Sequence, residues 1–497
     1  MQLWVVCRPK LLDIGNSIMI GDGRHYVWTA LNRFGVQGVS FFGNILIARK
    51  LAPEDFGLVA TLSIVIALGM NLTDAGFSDC LIRNDNADKR DFDTIFVYNL
   101  TVGVLIYAAL YFFSPYIALY FQRPELVSIC RVLSLTIIFQ AITITQITWL
   151  RKQLLFKKIA LLQLVGVSVG TIVGIVLAYQ NKGFWALVFQ NIINPTTVII
   201  LLVLFFKWRP SFAFSWKRYL SMRKFGLNLM ISYIITQVSN NIYSVVIGKF
   251  QSASLLGYYN QGTKINDSLF QSLNSILLQT SYPLIAKEKN VVRRKEMYSM
   301  ILERFLYIQF FLSAFIIGSA DDIIQIVFGD KWIATAPMLK LLVTSMLFYP
   351  LVTINSNIAK IEGKSKLYRN LTFLRVALVL TAALLTSNHS IFTMLIGQIV
   401  ARYISVFFDI LLCGKLIDFG IIKQLKVVIS QIWIPFCSAA VALLCTNMAD
   451  LKVSASHSFG VFLFSFLGVF LLLNSLFKNR VYIFFVDRLF KNKKSYV

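Results

Sequence analysis

The chain has 497 residues, 57% of them hydrophobic and only 14% charged, with a mean hydropathy of +0.69. A soluble domain carries about 25% charged residues, so this composition excludes a water-soluble globular protein. The formal charge of +25, from 48 basic and 23 acidic residues, points to nucleic acid only if the basic residues form a patch; they gather instead between apolar runs.

Those runs have helical length and no period-two alternation, which excludes a β-barrel. In hydrocarbon the backbone must then be satisfied within helices. The predicted fold is all-α and integral to a membrane. Runs of about 20 apolar residues predict fourteen transmembrane helices, at roughly 27–48, 56–77, 94–117, 131–150, 158–179, 184–206, 225–248, 258–286, 301–319, 335–359, 367–387, 390–413, 425–445 and 457–477. The eighth is the most polar, interrupted by Lys264, Asn266, Asp267, Asn274 and Gln279. It reads as a helix facing a polar interior, or as one lying on the membrane surface.

The connections settle the expected orientation. Lys and Arg concentrate after even-numbered segments: Arg151, Lys152, Lys157 and Lys158 after the fourth, Lys207 to Lys224 after the sixth, Lys287 to Lys295 after the eighth. Basic connections stay in the cytoplasm, so both termini are expected there. Residues 1–25 read as a cytoplasmic tail or a mis-set translation start, 207–224 as a basic cytoplasmic linker and 478–497 as a basic cytoplasmic tail. Ile47-Ala48-Arg49 with Gly57 recurs 200 residues later as Ile247-Gly248-Lys249 with Gly257. The repeat predicts two pseudo-symmetric six-helix lobes, 26–206 and 225–413, with helices 13 and 14 (425–477) appended.

No enzyme signature emerges. Gly363-Lys364-Ser365 lacks the glycine that a phosphate-binding loop needs five residues earlier, where Ile358 stands. The three His and six Cys are scattered, without metal-ligand spacing. Neither a cofactor nor a metal is expected. Ionisable residues inside spans are costly and mark pathways, and depth follows from about 1.5 Å per residue. Arg33 lies about 9 Å into its segment, within reach of the headgroups by snorkelling. Arg375 and Arg402, about 12 and 18 Å in, favour a cavity role. Lys264 and Asp267 share a face, as ligand contacts or as a mutually neutralised pair, with Asn266 beside them. Asp74 is a cation or proton site or a helix cap. A cavity with Arg33, Arg375 and Arg402 favours an anionic group such as a diphosphate.

Asn32-Arg33-Phe34-Gly35-Val36-Gln37-Gly38 and Ile47-Ala48-Arg49-Lys50-Leu51-Ala52-Pro53-Glu54-Asp55-Phe56-Gly57 resemble the opening of Wzx-type polysaccharide and lipopolysaccharide flippases of the MOP superfamily, which also holds the MATE drug exporters. The likeness continues through Asp74-Ala75-Gly76-Phe77, Phe184-Trp185-Ala186-Leu187, Gly257-Tyr258-Tyr259 and Gly329-Asp330-Lys331-Trp332, over roughly residues 26–420. It implies two lobes around a central cavity in the bacterial cytoplasmic (inner) membrane. It also implies a lipid-linked oligosaccharide, typically on undecaprenyl diphosphate, flipped by alternating access to the outer leaflet. Membrane lipids and polysaccharide polymerase machinery are the implied partners, with no nucleic acid. Proton or sodium coupling, as in the superfamily, would fall to Asp74 and Asp267. The substrate would meet Arg33, Arg375, Arg402, Lys264 and Asn266. Competing readings are an ion-coupled multidrug exporter of the same fold, for which acidic rather than cationic spans are expected, and a membrane-embedded polymerase, which would need a larger external loop.

Overall fold

A computed structural model describes residues 23–206, 209–448 and 454–491. The expected tail 1–25 thus lies almost wholly outside the described residues. Contacts divide the chain into two compact units, 1–241 and 242–497.

The first unit holds α1 (Gly23–Lys50), α2 (Pro53–Asp74), α3 (Phe77–Arg83), α4 (Lys89–Phe121), α5 (Leu126–Leu133), α6 (Leu135–Lys152), α7 (Phe156–Tyr179), α8 (Trp185–Phe205) and most of α9 (Trp216–Phe250). The second holds the end of α9, then α10 (Ala253–Lys287), α11 (Val291–Phe328), α12 (Thr335–Met346), α13 (Tyr349–Ile361), α14 (Ser365–Leu385), α15 (Ile391–Cys413), α16 (Ile421–Met448), α17 (Ala455–Leu476) and α18 (Arg480–Lys491). Among the described residues, eleven helices or consecutive helix pairs are long and apolar enough to cross a membrane. Three further long helices, α1, α9 and α10, fall on predicted segments 1, 7 and 8 but are less apolar. Asn32, Arg33, Gln37 and Asn44 dilute α1; Asn228, Gln237, Asn240 and Asn241 dilute α9; Gln261, Lys264, Asn266 and Asp267 dilute α10.

The repeat reappears as packing. In the first unit α4 packs on α5 and α6, α6 on α8, and α7 on α8; in the second α11 packs on α12 and α13, α13 on α15, and α14 on α15. Both units break their fourth segment, at Ser134 between α5 and α6 and at Leu347-Phe348 between α12 and α13. Pro350 accounts for the second break. It has no N–H to give the Met346 carbonyl, and Gln309 Nε2 donates to that oxygen instead, at 3.0 Å. The 200-residue repeat sits on the α1–α2 and α9–α10 corners.

In the first unit, Gly166, Gly170 and Gly174 form a small-residue seam on α7, which lets helices approach closely. A Cβ at Gly170 would lie 2.8 Å from the Gln190 carbonyl oxygen, and one at Gly166 would lie 2.8 Å from Asn194 Oδ1. The seam therefore fixes the rotation of α8. The predicted linker 207–224 is partly helical, because α9 begins at Trp216 and extends nine residues ahead of the predicted segment. Arg218 anchors this extension by pairing with Asp88 and Asp91 at 2.5 and 2.8 Å. Just before it, Ser211 donates from N and Oγ to the buried Asp93, at 2.9 and 2.6 Å. In the second unit α16 and α17 pack against α11, where Phe311 and Phe315 meet Phe462, Phe466 and Phe470. The predicted basic tail 478–497 contains α18, whose Val481 is buried and whose Phe485 stacks on Tyr307; residues 492–497 lie outside the described residues.

Candidate functional site

Each unit carries its own polar constellation within spanning helices. In the first unit a cavity of about 580 Å³ opens among α1, α2, α5, α6, α7 and α8. Its polar lining is Ser63 from α2, Thr136, Gln140 and Thr143 from α6, Gln163 from α7, and Asn191 and Asn194 from α8. The α7 seam holds Asn194 in place, since Gly166 and Gly170 both admit its atoms closely. Asn32 of α1 donates from Nδ2 to Gln163 Oε1 at 2.8 Å, and its own Oδ1 is buried without a partner. Pro195, which also lines the cavity, cannot donate to the Asn191 carbonyl. None of the lining residues is charged.

Two predicted site residues belong to this unit. Arg33 is exposed on α1, three residues before the cavity-lining Val36. Residues three apart share a helical face, so Arg33 stands about 4.5 Å along the axis from the cavity-lining Val36. Asp74 ends α2 and accepts from Ser78 N and Ser78 Oγ, at 3.3 and 2.5 Å. Ala75 and Gly76 turn the chain there through left-handed conformations, and Thr148 Oγ1 of α6 donates to Ser78 Oγ at 3.1 Å. The carboxylate thus ties the α2–α3 corner to α6.

The other predicted residues belong to the second unit. Arg375 on α14 grips the fully buried Asp409 of α15 through two bonds, Nε to Oδ2 at 3.1 Å and Nη2 to Oδ1 at 2.5 Å. Its Nη2 also donates to Ser356 Oγ of α13 at 2.8 Å. Three helices are therefore joined by one charge-assisted, two-point pair. Arg402 lies seven residues before Asp409 on the same face of α15 and donates to Ser345 Oγ of α12 at 2.7 Å. It stands within electrostatic reach of Tyr243, Tyr259 and Asp267. Asn266 is buried and directs Nδ2 towards Asp267 Oδ1 at 3.4 Å, whereas Lys264 is exposed. Around them Tyr243 Oη, both carboxamide atoms of Gln261, Asn266 Oδ1 and Gln398 Oε1 are buried without a hydrogen-bond partner. The structure thus gathers Arg402, Asn266 and Asp267, while Arg375 is engaged with Asp409.

Asp409, Ser345 and Ser356 are absent from the sequence-based set, although an acid in Phe407-Phe408-Asp409-Ile410 inside an apolar run was a legible signal. The carboxamides of the first unit are also absent from that set, because no charged residue beside them in the spans draws attention to them as Lys264 and Asp267 do to Asn266.

Residues 46–337 match a family described as "Polysaccharide biosynthesis protein". The chain belongs to this family. It is 25% identical over 346 residues to the teichuronic acid biosynthesis protein TuaB of Bacillus subtilis (strain 168), covering 68% of this chain and 71% of that protein. It is 24% identical to the succinoglycan biosynthesis transport protein ExoT of Rhizobium meliloti (strain 1021), covering 65% of each. The lipopolysaccharide biosynthesis protein WzxC of Escherichia coli (strain K12) is 23% identical, over 63% of this chain and 65% of its own. Among solved structures, the lipid II flippase MurJ in an inward closed conformation superposes with a TM-score of 0.69 at 14% identity, over 90% of this chain and 98% of its own. An inward-facing multidrug resistance MATE transporter of the MOP superfamily gives 0.56 at 16% identity, over 80% and 100%. This polysaccharide biosynthesis family member is therefore a multi-pass membrane protein with the MOP fold.

Proposed function

We propose that this chain flips a polyprenyl-diphosphate-linked oligosaccharide from the cytoplasmic to the outer leaflet of the bacterial inner membrane, by alternating access, for surface or exopolysaccharide synthesis. Membership of the polysaccharide biosynthesis family across residues 46–337 carries the reading. The chemistry agrees with it. A sugar chain cannot enter hydrocarbon without partners for its hydroxyls, and this chain keeps polar side chains inside spanning helices in both units. In this reading α1, α9 and α10 also cross the membrane, which makes fourteen crossings with both termini in the cytoplasm. Arg33 and Arg402 meet the diphosphate or acidic sugars, with Asn266 and the exposed Lys264 beside the path. Arg375 becomes available only when Asp409 releases it. Asp74 and Asp267 are the carboxylates through which a proton or sodium ion would couple, and polymerase machinery is the natural consumer of the flipped lipid.

The decisive experiment is a deletion strain in which lipid-linked repeat units are quantified by leaflet. Accumulation in the cytoplasmic leaflet, reversed by the intact gene but not by Arg402→Ala inserted at equal level, is the expected result. Normal arrival of unpolymerised glycolipid in the outer leaflet would sink the proposal in favour of a polymerase. Unchanged glycolipids with altered drug export would favour the MATE-like alternative.

A further inference from the structure

We propose that the cavity of the first unit is a seat for uncharged sugar units of the transported molecule, next to a diphosphate held at Arg33; this rests on the flippase reading above. The cavity volume of about 580 Å³ lies within the range of small-ligand pockets, about 300–1,000 Å³. Its polar groups are chiefly carboxamides, Gln140, Gln163, Asn191 and Asn194, supplied by three helices. A carboxamide offers an acceptor oxygen and two donor hydrogens from one plane. A sugar hydroxyl also donates and accepts, so neighbouring hydroxyls are matched by such side chains without any net charge. The Asn32 bond occupies the Gln163 oxygen and leaves its NH₂ as the group it offers a ligand. Asn191 Nδ2 already donates to the Leu187 carbonyl at 2.8 Å, which leaves its Oδ1 as the acceptor it offers. Ile66, Met70, Val167 and Val198 supply the apolar remainder of the wall, which suits the C–H faces of a pyranose.

The missing chemistry sets the selectivity. A uronate or other acidic sugar would lose its hydration among residues that include no cation, and a buried charge without a partner is strongly disfavoured. A cationic drug would find neither a carboxylate nor an aromatic ring among the lining residues. With no titratable side chain in the lining, the cavity is equally unsuited to holding a coupling proton. Arg33 lies one helical turn from Val36 on the same face, so a diphosphate there would place the sugar bonded to it at the cavity.

The test uses the purified full chain in nanodiscs and three probes: undecaprenyl diphosphate, the same lipid carrying a neutral hexose disaccharide, and the same lipid carrying a disaccharide ending in a hexuronic acid. Affinities are read by native mass spectrometry or competition. The neutral glycolipid should bind about tenfold more tightly than the bare carrier, which two hydrogen bonds can supply, and the uronate form should gain far less. Gln163→Ala with Asn191→Ala should abolish the sugar increment while leaving bare-carrier binding within about twofold, which doubles as the check on folding. Gln140→Leu, nearly isosteric, should reduce the increment by itself. Equal gains for neutral and acidic sugars, or an undiminished increment in both variants, would overturn the assignment. Wild-type protein that binds none of the three lipids would overturn the flippase reading itself.

Discussion

Replacing Asp409 by alanine leaves the Arg375 guanidinium among α13, α14 and α15 with Ser356 as its remaining partner. Removing one member of a buried ion pair typically costs about 3–5 kcal/mol, because the other charge stays desolvated. Asp409 has no exposed side-chain surface and Arg375 retains only 22%, so the stranded cation stays largely desolvated and a loss of at least about 3 kcal/mol is expected. Replacing both residues, as Arg375→Met with Asp409→Leu, removes the charge along with its partner, and the loss should fall to about 1 kcal/mol or less. Denaturation in mixed micelles, with both single variants and the double variant, completes the thermodynamic cycle. A double variant as unstable as the sum of the singles would refute the idea that the two charges act as one unit. The same proteins separate structure from transport. A stable double variant that cannot restore glycan export would mean that Arg375 also meets the substrate.

Three further outcomes follow from local geometry. Gly43→Ala on α1 would put a Cβ 2.0 Å from Thr171 Cγ2 of α7 and should destabilise by about 1–3 kcal/mol; Thr171→Ser, which removes that methyl, should restore most of the midpoint, and failure to do so would locate the strain elsewhere. Gly363 and Leu154 occupy the turns that follow α13 and α6, with φ of 67° and 57°, so Gly363→Ala should lower stability by about 1 kcal/mol while Leu154→Gly should be neutral or stabilising; equal effects would contradict the left-handed requirement. Asp93→Ala removes both acceptors that Ser211 uses, so the Ser211 amide should exchange its hydrogen several times faster in the variant, and an unchanged rate would mean the linker is held by Phe212 against Phe96 instead.

The helical fold was readable because lipid imposes one rule on every span: about 20 apolar residues with internally paired backbone. Each predicted segment falls on an observed helix, and among the described residues eleven are apolar enough to span, but the rule cannot locate helix ends outside the hydrocarbon. For this reason α9 starts at Trp216, held by Arg218 against two aspartates far away in sequence. The rule is also silent on breaks within a span, and the α5–α6 and α12–α13 breaks fell inside single predicted segments. Gly363 reads differently once its φ is known. Gly363 of the Gly-Lys-Ser run is a left-handed residue in the turn after α13, and Leu154 adopts the same conformation at the matching turn without a glycine to announce it. Among site residues, the charges and Asn266 beside them were legible, and partners were not. Arg375 stands out in sequence, yet the carboxylate that holds it is 34 residues away on the next long helix.

This division between charge and partner bears on how such a protein could move a substrate with a charged head and a neutral polar body. A permanently charged cavity wall would bind a diphosphate tightly in every state and hinder release, since a ligand shifts a conformational equilibrium only by its differential affinity for the states. Arg375 avoids that difficulty by being engaged with Asp409, so its attraction for an anion depends on loosening the α13–α14–α15 contact. The carboxamide cavity contributes in another way, through individually weak, uncharged hydrogen bonds of about 1 kcal/mol each that recognise the sugar without trapping it. Export should therefore tolerate the loss of any one cavity carboxamide, with a severalfold fall in rate. Weakening the hold on Arg375, by Asp409→Asn, should instead raise affinity for undecaprenyl diphosphate while slowing its release. If Asp409→Asn left both the affinity and the release rate unchanged, the pair would be a purely structural clamp, and the gating role assigned to it would have to be abandoned.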